Sequence, residues 1–528
     1  MNTPTFDISV HAQHRPDAIA VIDETLASGP YRTSTYAQFA DRTARLANAL
    51  ASLGLQPGDH VAGHLGSGIP FLEIYWAALR SGLIFTAVSD SYTADEASYV
   101  IDNCDARVTF VSDTTVESVQ TFMDTTTQVQ AWIMVGAPTP GFLDYEEVIA
   151  SAPSARPTPE PLGSPMYYTS GSTGRPKGVL RELSGRTFAQ GSPYVADLQP
   201  VLGLDHTWVY LSPTPLHHAA STTYAEATLA TGGKVVLSGR FDPEGFLDLV
   251  DRHRVNLVQI VPTMMIRLIR LPQEIKDRYD VSSFKLIVHG AGPCPVDVKR
   301  EFIQWMGPVV FEYYGATEGI GHTFITSPEW LAHPGSVGVG AEGITIHIVD
   351  DSGSPVPTGE DGVIYFESSQ AMASFEYHKT DAAAAARHPD HDTWATLGDR
   401  GYLDEDGYLY LSGRTSDLIV RGGVNVYPRE VEDGLRAHPA VYDVAVLAVP
   451  HEELAEEVGA VVELAPELEP TADLAQELMT FARARMAKYK APTRLAFVDQ
   501  MPRTPTGKLT KTNLVSTVRD TGHAWHAI

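Results

Sequence analysis

Residues Tyr167 to Val179, YYTSGSTGRPKGV, gather small hydroxyl residues and glycines onto a run that ends in Lys177-Gly178. Those residue types suit the holding of phosphate. Gly171 and Gly174 open backbone conformations closed to other residues, while Thr169, Ser170, Ser172 and Thr173 add hydroxyl donors to the backbone N–H groups. Lys177 supplies a cation. The string is not a Walker loop: counted from Gly171, Pro176 stands where the second glycine belongs and Gly178 where the Ser/Thr belongs.

Other stretches carry complementary chemistry. Glu312-Tyr313-Tyr314-Gly315-Ala316-Thr317-Glu318-Gly319 closes a strand with an aromatic face, a bare glycine, a hydroxyl and a carboxylate, the set that an adenine, a phosphate and Mg²⁺ would need. Thr396-Leu397-Gly398-Asp399 ends in an aspartate that can accept both hydroxyls of a ribose. His217-His218 follow the turn Pro213-Thr214-Pro215 at the end of an apolar strand, where α/β folds line ligand crevices. Three further patterns read as structural. GVGAEG, from Gly338, fits the dinucleotide fingerprint by letter, but the alternating ITIHIVD follows it rather than a helix. Asp404-Glu405-Asp406-Gly407 is a hairpin turn rather than a calcium loop, and His388 to Asp392 lacks the ligands to complete a metal site.

These residues need a frame, and 528 residues exceed what one core supports, so at least two domains are expected. Apolar residues recur at helical spacing from Tyr36 to Leu53, ending at Gly54. Short strands at 60–65, 83–88, 108–112 and 132–135 alternate with helical patterns at 70–80 and 94–103, which predicts layered α/β structure. The proline- and serine-rich stretch 151–165 is a connector. Beyond it a second α/β half carries strands near 208–212, 234–237, 257–260, 285–288 and 309–313. From Gly340 strands broken by turns end in the hairpin 401–414, a small β subdomain. The fold class is α/β: a large N-terminal domain over 1–414 and a small α/β domain over 417–528. In that last unit strands are expected at 417–420, 445–449 and 495–498, with helices at 430–437 and 472–486.

A net charge of −27 repels nucleic acid and anionic membranes, so an anionic substrate must be held by local donors against the global field. No apolar run approaches the roughly 20 residues of a membrane span. The N-terminus lacks the basic start and apolar core of a signal peptide, and Cys104 and Cys294 are the only cysteines. A cytoplasmic protein with reduced thiols is expected, with no nucleic-acid partner and no stable membrane insertion.

The order and separations of the loop, of YYGATEG, of GD and GR within GDRGYLDEDGYLYLSGR, and of PRTPTGKL resemble the adenylate-forming enzymes over nearly the whole chain. That superfamily includes acyl-CoA synthetases, aryl-CoA ligases, adenylation domains and luciferases. The resemblance implies that Tyr314 stacks on adenine beside Ala291-Gly292-Pro293, that Thr317 touches the α-phosphate, and that Glu318 holds Mg²⁺. Asp399 and Arg414 grip the ribose, and Lys508 is the catalytic lysine that the C-terminal domain swings into the site. His217, His218 and His289 line the acyl pocket near the carboxylate, with Gly315 also at the substrate. Gly422 and Gly423 line the pantetheine tunnel. The implied activity is an AMP-forming acid:CoA ligase using ATP, Mg²⁺ and CoA, and the stretch from Val261 to Phe302 looks most like ligases of bulky apolar acids, bile-acid and steroid types included.

Two positions depart from the family pattern. Ser416 stands at the hinge where Asp or Lys is usual, and Phe375-Glu376-Tyr377-His378 replaces a glycine-tyrosine-tryptophan stretch. Both bear on the balance between adenylation and thiol transfer. Three alternatives therefore stand beside the ligase: an enzyme that only thioesterifies a supplied adenylate, one that charges a carrier protein, and a non-catalytic nucleotide binder. Retention of Lys177, Glu318, Asp399, Arg414 and Lys508 argues against the last. The oligomeric state is open, a homodimer included.

Overall fold

The computed structural model describes residues 6–25, 32–169, 176–292, 294–368, 375–380, 386–414, 417–421, 424–451, 454–466, 468–503, 509, 514, 518 and 525–527. Ser170, Gly171, Ser172, Thr173, Gly174, Pro293, Ser416, Gly422, Gly423 and Lys508 lie outside the described residues.

The first half builds an 8-stranded sheet in the order Phe375–Tyr377, Lys177–Arg181, Ser164–Thr169, Ile84–Val88, His60–His64, Ala106–Ser112, Ala131–Val135 and Leu143–Asp144. The second builds a 9-stranded sheet in which Val310–Gly315, Leu286–His289, Leu257–Ile260, Val209–Ser212, Lys234–Leu237 and Ile19–Asp23 run parallel. Its edges, His322–Thr326 with Val339–Gly340 and Arg32–Thr35, are antiparallel. The helices Tyr36–Ser52, Ile69–Arg80 and Ala219–Ala230 lie between the two sheets, because one core cluster joins Phe39, Leu72 and Leu229 to Val61 and Phe85 of one sheet and Tyr210 and Val288 of the other. Alternate strand residues point the other way: Ala62 and Val88 meet the helix Ala94–Asn103, and Val258 and Ile287 meet the helices Pro243–His253 and Val296–Met306. The result is five layers, helix and sheet in alternation.

Local chemistry supports the expected elements. Thr35 and Gln38 cap the helix Tyr36–Ser52 reciprocally, the Thr35 N–H donating to Gln38 at 2.9 Å and the Gln38 N–H to the Thr35 hydroxyl at 3.2 Å. No helix follows GVGAEG; Val339–Gly340 is an edge strand and Ile344–Val349 the next strand. The Asp404 Oδ1 accepts the N–H groups of Asp406 and Tyr408, as a turn requires.

A third, antiparallel sheet of Ile344–Val349, Gly362–Ser368, Asp399–Leu403 and Leu409–Arg414, with Trp394–Ala395 at its side, is the β subdomain. The Leu409 N–H donates to the Gly338 carbonyl at 2.8 Å and ties this sheet to the second. The C-terminal unit holds a 6-stranded sheet in which the long strands Val441–His451 and Ala455–Leu464 form a hairpin and Arg494–Val498 runs parallel to the latter. It contacts the rest of the chain through Tyr427, whose hydroxyl donates to Asp361 at 2.8 Å, and Arg429, which donates to the Leu411 carbonyl at 3.1 Å. Arg270 donates to the Tyr442 carbonyl at 3.2 Å and covers that ring at 4.0 Å.

Two strands cross the expected halves. Ile19–Asp23 precedes the first sheet in sequence yet pairs with Lys234–Leu237 of the second, and Phe375–Tyr377 leaves the β subdomain to pair with Lys177–Arg181. Both cysteines are free and buried, and burial raises both thiols, that of Cys104 to about 12. Among the described residues no helix is long and apolar enough to cross a membrane.

Candidate active site

Lys177, Tyr314, Thr317, Glu318, Asp399 and Arg414 come together where one end of each of the first three sheets meets. In the first sheet Thr169 lies directly opposite Lys177, so the chain that leaves one strand at Thr169 returns as an antiparallel strand at Lys177 rather than as a helix. In the second, Val310–Gly315 delivers Tyr314, and the chain turns through Thr317 and Glu318 before returning as His322–Thr326. In the third, Asp399 and Arg414 are direct cross-strand partners.

Three hydrogen bonds join these ends. The Tyr314 hydroxyl donates to Asp399 Oδ2 at 2.6 Å, the Tyr377 hydroxyl to Glu318 Oε1 at 2.9 Å, and Arg181 Nη2 to the Thr317 carbonyl at 2.7 Å. Arg414 Nε meets the other oxygen of Asp399 at 3.0 Å. Burial, reinforced by Asp399, pushes the Tyr314 phenol well above its usual range, and burial with Glu318 does the same to Tyr377. Both hydroxyls therefore stay donors at neutral pH. Burial alone would lower Arg414, but Asp399 outweighs it and the guanidinium is raised.

Lys177 places its ammonium 5.3 Å from the Tyr377 ring centre, a cation–π contact. Lys177, Val179 and Arg181 share one face of their strand by the two-residue pleat, and Val179 packs with Ile320 and Phe366. Two cations thus bracket Val179 on the side that meets the Thr317–Gly319 turn. Burial holds Arg181 down to about 10, with Glu318 opposing the shift.

The loop after Leu286–His289 contains Ala291 at φ 65°, a left-handed conformation unusual for a residue with a side chain. Gly290 just before it is needed for space, since a Cβ there would lie 2.7 Å from the Tyr313 ring. Ala291 and Gly292 are exposed, as a loop that receives a ligand must be. Gly315 has the His322 Cβ at 3.1 Å from where its own Cβ would be.

His217 and His218 lead into the helix Ala219–Ala230 with their rings 4.1 Å apart. Burial lowers His217 to about 4, with Asp90 at 3.9 Å only partly opposing, and burial and then His217 lower His218 well below its usual value. The pair is neutral at pH 7. His289 does not join them, which corrects the expectation of three histidines in one acyl pocket. Ile287 and His289 point to the outer face of the second sheet, toward the helix Val296–Met306, whereas the helix after His218 packs on the inner face. His289 is fully buried, its nearest charged groups being Glu312 at 3.5 Å, a contact without hydrogen-bond geometry, and Lys299 beyond.

Arg181 and Tyr377 are the site residues that sequence reasoning missed. Counting by twos from Lys177 would have put Arg181 on the same face. Tyr377 sits inside the altered stretch Phe375 to His378, where the eye goes to Glu376, a residue that is exposed. Among the described residues no group of three or more His, Cys, Asp and Glu is placed to hold a metal ion; His391 and His347 each stack on the Trp394 ring, at 4.0 and 3.7 Å.

Three sheets whose ends meet at Lys177, Tyr314, Thr317, Glu318, Asp399 and Arg414 fit an enzyme of the adenylate-forming class. The chain belongs to the AMP-binding enzymes: that family's pattern matches residues 8–375, and the AMP-binding enzyme C-terminal domain matches residues 430–508. The indoleacetate–CoA ligase of Aromatoleum aromaticum is 31% identical over 489 residues, 91% of this chain and 92% of that protein. The medium-chain fatty-acid–CoA ligase of Escherichia coli is 30% identical over 515 residues, 95% of this chain and 88% of that protein. Among solved structures, ATP-bound MatB from Rhodopseudomonas palustris superposes with a TM-score of 0.80 at 26% identity, over 98% of this chain and 99% of that one.

Proposed function

We propose that the protein is an ATP-dependent acid:CoA ligase for a bulky apolar carboxylic acid. A carboxylate oxygen attacks the α-phosphorus of ATP and pyrophosphate leaves; the CoA thiol then gives up its proton to solvent and its sulfur attacks the acyl carbon as the acyl–oxygen bond breaks and AMP leaves. The observation that carries this reading is the set of three hydrogen bonds joining Thr317, Glu318 and Asp399 to their neighbours across three sheets. In it Asp399 and Arg414 hold the ribose, Tyr314 the adenine, and Thr317 with Lys177 the phosphates. Residues 1–414 act as the adenylation domain and 417–528 as the unit that alternates about a hinge at 415–416, bringing first Lys508 and then Gly422 and Gly423 to the centre.

Both reactants are anions and the chain carries a net charge of −27, so neutralisation decides the rate. The neutral pair His217 and His218 cannot supply charge to the carboxylate; they can orient it. Positive potential comes from Lys177, Lys508 and the N-terminus of the helix Ala219–Ala230, whose first N–H groups have no side-chain cap. Glu318 suits Mg²⁺, because Tyr377 engages only Oε1 and such ions take one or two carboxylates plus substrate phosphates. The ion would offset charge on the phosphates.

The test is mass spectrometry of the protein incubated with ATP, Mg²⁺, CoA and a panel of carboxylic acids, reading both adenylate and thioester. Polycyclic or long apolar acids are expected to turn over better than acetate or amino acids, and a preference for acetate sinks the substrate class. Adenylate without acyl-CoA would instead favour a carrier-protein thiol, and thioester only from supplied adenylate would mark a thioesterifying specialist.

Asp399→Ala is expected to weaken ATP and adenylate binding by about 1.5–3 kcal/mol, the worth of a charge-assisted hydrogen bond. The variant also releases the Tyr314 hydroxyl and Arg414 from their shared acceptor. Unchanged nucleotide affinity by calorimetry would remove Asp399 from the site.

A further inference from the structure

We infer that Arg181 is a positioning residue of the adenylation centre: its guanidinium clamps the Thr317–Gly319 turn so that the Thr317 hydroxyl and the Glu318 carboxylate are presented to the nucleotide. The inference rests on the proposed role of that turn and concerns what holds it.

Arg181 ends the strand that begins at Lys177, and its Nη2 donates to the Thr317 carbonyl at 2.7 Å. The approach is close enough to dictate the next residue but one. Gly319 has φ +63°, and a Cβ there would lie 2.2 Å from Arg181 Nη2 and 2.9 Å from Cζ. A turn closed by the Gly319 N–H on the Ala316 carbonyl, at 3.0 Å, therefore needs glycine both for its backbone and for room beside the guanidinium. The Tyr194 ring lies 4.4 Å from Cζ in a cation–π contact, and its hydroxyl is 3.1 Å from the same Cβ position, so ring and guanidinium pack together against the turn. Lysine offers neither the plane nor the fork of donors.

The neighbouring strand holds the carboxylate. Phe375–Tyr377 pairs with Lys177–Arg181, Tyr377 opposite Val179, and the Tyr377 hydroxyl takes Glu318 Oε1 at 2.9 Å. The Thr317 carbonyl is thus fastened to the strand that carries Lys177, and the Glu318 carboxylate to the strand paired with it. Arg181 further sets a positive charge beside Glu318 without bonding it, which leaves Oε2 free among the described residues. Phosphate-facing and metal-facing groups are in this way referenced to the strand that supplies the phosphate cation and to the strand paired with it.

The experiment compares Arg181→Met, Arg181→Lys and Gly319→Ala with wild type in four measurements: hydrogen exchange of the 316–321 amides, ATP affinity by calorimetry in EDTA, the Mg²⁺ concentration for half-maximal adenylate formation, and the adenylation rate with saturating acid. Arg181→Met is expected to speed exchange of those amides at least about 10-fold, to raise the Mg²⁺ requirement several-fold, and to slow adenylation about 10- to 100-fold, the scale of a misplaced group. ATP affinity without metal should stay within about twofold, since the guanidinium holds the turn rather than the nucleotide. Arg181→Lys should restore part of the rate, and Gly319→Ala should reproduce the Met pattern by displacing the guanidinium. Unchanged exchange at 316–321 overturns the clamp. Faster exchange with unchanged Mg²⁺ requirement and rate shows a clamp on a turn that is not the nucleotide site, which is a failure of the functional reading instead. A fall in metal-free ATP affinity as large as the fall in rate makes Arg181 a direct phosphate contact and overturns the positioning role.

Discussion

Lys508→Ala lowers acyl-adenylate formation by about 10²-fold or more, the loss seen when one preorganised charge-stabilising donor is removed, and leaves thioester formation from supplied acyl-adenylate intact. The expectation rests on the match of Pro505-Thr506-Gly507-Lys508 to the family's catalytic lysine and on how its flanks are fastened. Arg503 is paired with Asp443 at 2.7 and 2.9 Å and bridges to Leu509, so both flanks of residues 504–508 are tied to the C-terminal unit. Among the described residues that unit touches the rest of the chain through the polar contacts of Tyr427, Arg429 and Tyr442, a set that can be broken and remade as a unit turns between steps. Pyrophosphate exchange reads the first step and acyl-CoA from synthetic adenylate reads the second. Should the variant lose both, with its fold shown intact, the two steps do not divide between two orientations as proposed.

Lys299→Ala destabilises the protein by about 3–5 kcal/mol, the cost of leaving a buried partner charge uncompensated. Lys299 and Glu312 are both almost fully buried and form a direct ion pair, and the Lys299 ammonium also lies 4.8 Å from the Trp330 ring. Burial lowers Lys299 and raises Glu312, each drawn toward its neutral form, while their mutual attraction opposes both shifts. The pair joins the helix that follows the Ala291 loop to the strand that carries Tyr314. Urea unfolding should show an earlier first transition for Lys299→Ala, and the double change Lys299→Met with Glu312→Leu should recover most of the loss. A single-variant cost below about 1 kcal/mol would mean that Glu312 finds another partner or sheds its charge without penalty.

Much of this architecture is legible in the sequence, for physical reasons that also mark where legibility ends. The parallel strands of both halves are short apolar runs bounded by turns, and their buried positions leave little ambiguity. Ile19–Asp23 is equally apolar, but nothing in its own residues says that it pairs across more than 200 positions with Lys234–Leu237 rather than with its neighbours in sequence. The strand Ala455–Leu464 begins with Ala-Glu-Glu and lacks clean alternation, so its hairpin with Val441–His451 comes from pairing rather than from local pattern. At the site, Asp399 and Arg414 are visible as motif residues, but their cross-strand register depends on a one-residue shift between Arg400 and Gly401 that the hairpin sequence does not announce. His289 shows the opposite case. It shares the residue type of His217 and His218, yet which face of a buried parallel strand it takes depends on the parity of the strand, and both faces there are covered. Arg181 falls between: its type and spacing were in view, but its partner is a backbone carbonyl 136 residues away, which leaves no mark in sequence.

The two cysteines bear on how motion in this molecule is to be watched. Cys104 is sealed in the first half and Cys294 beneath the loop after His289, and neither thiol ionises readily. The native chain is therefore dark to maleimide chemistry under mild conditions. A dye pair attached through Leu143→Cys and Leu468→Cys, both exposed sites on opposite sides of residues 415–416, reports the separation of the two units in single molecules without first stripping the protein of its own thiols. The order in which nucleotide, acid and CoA change that separation then becomes a trajectory rather than an inference from rates.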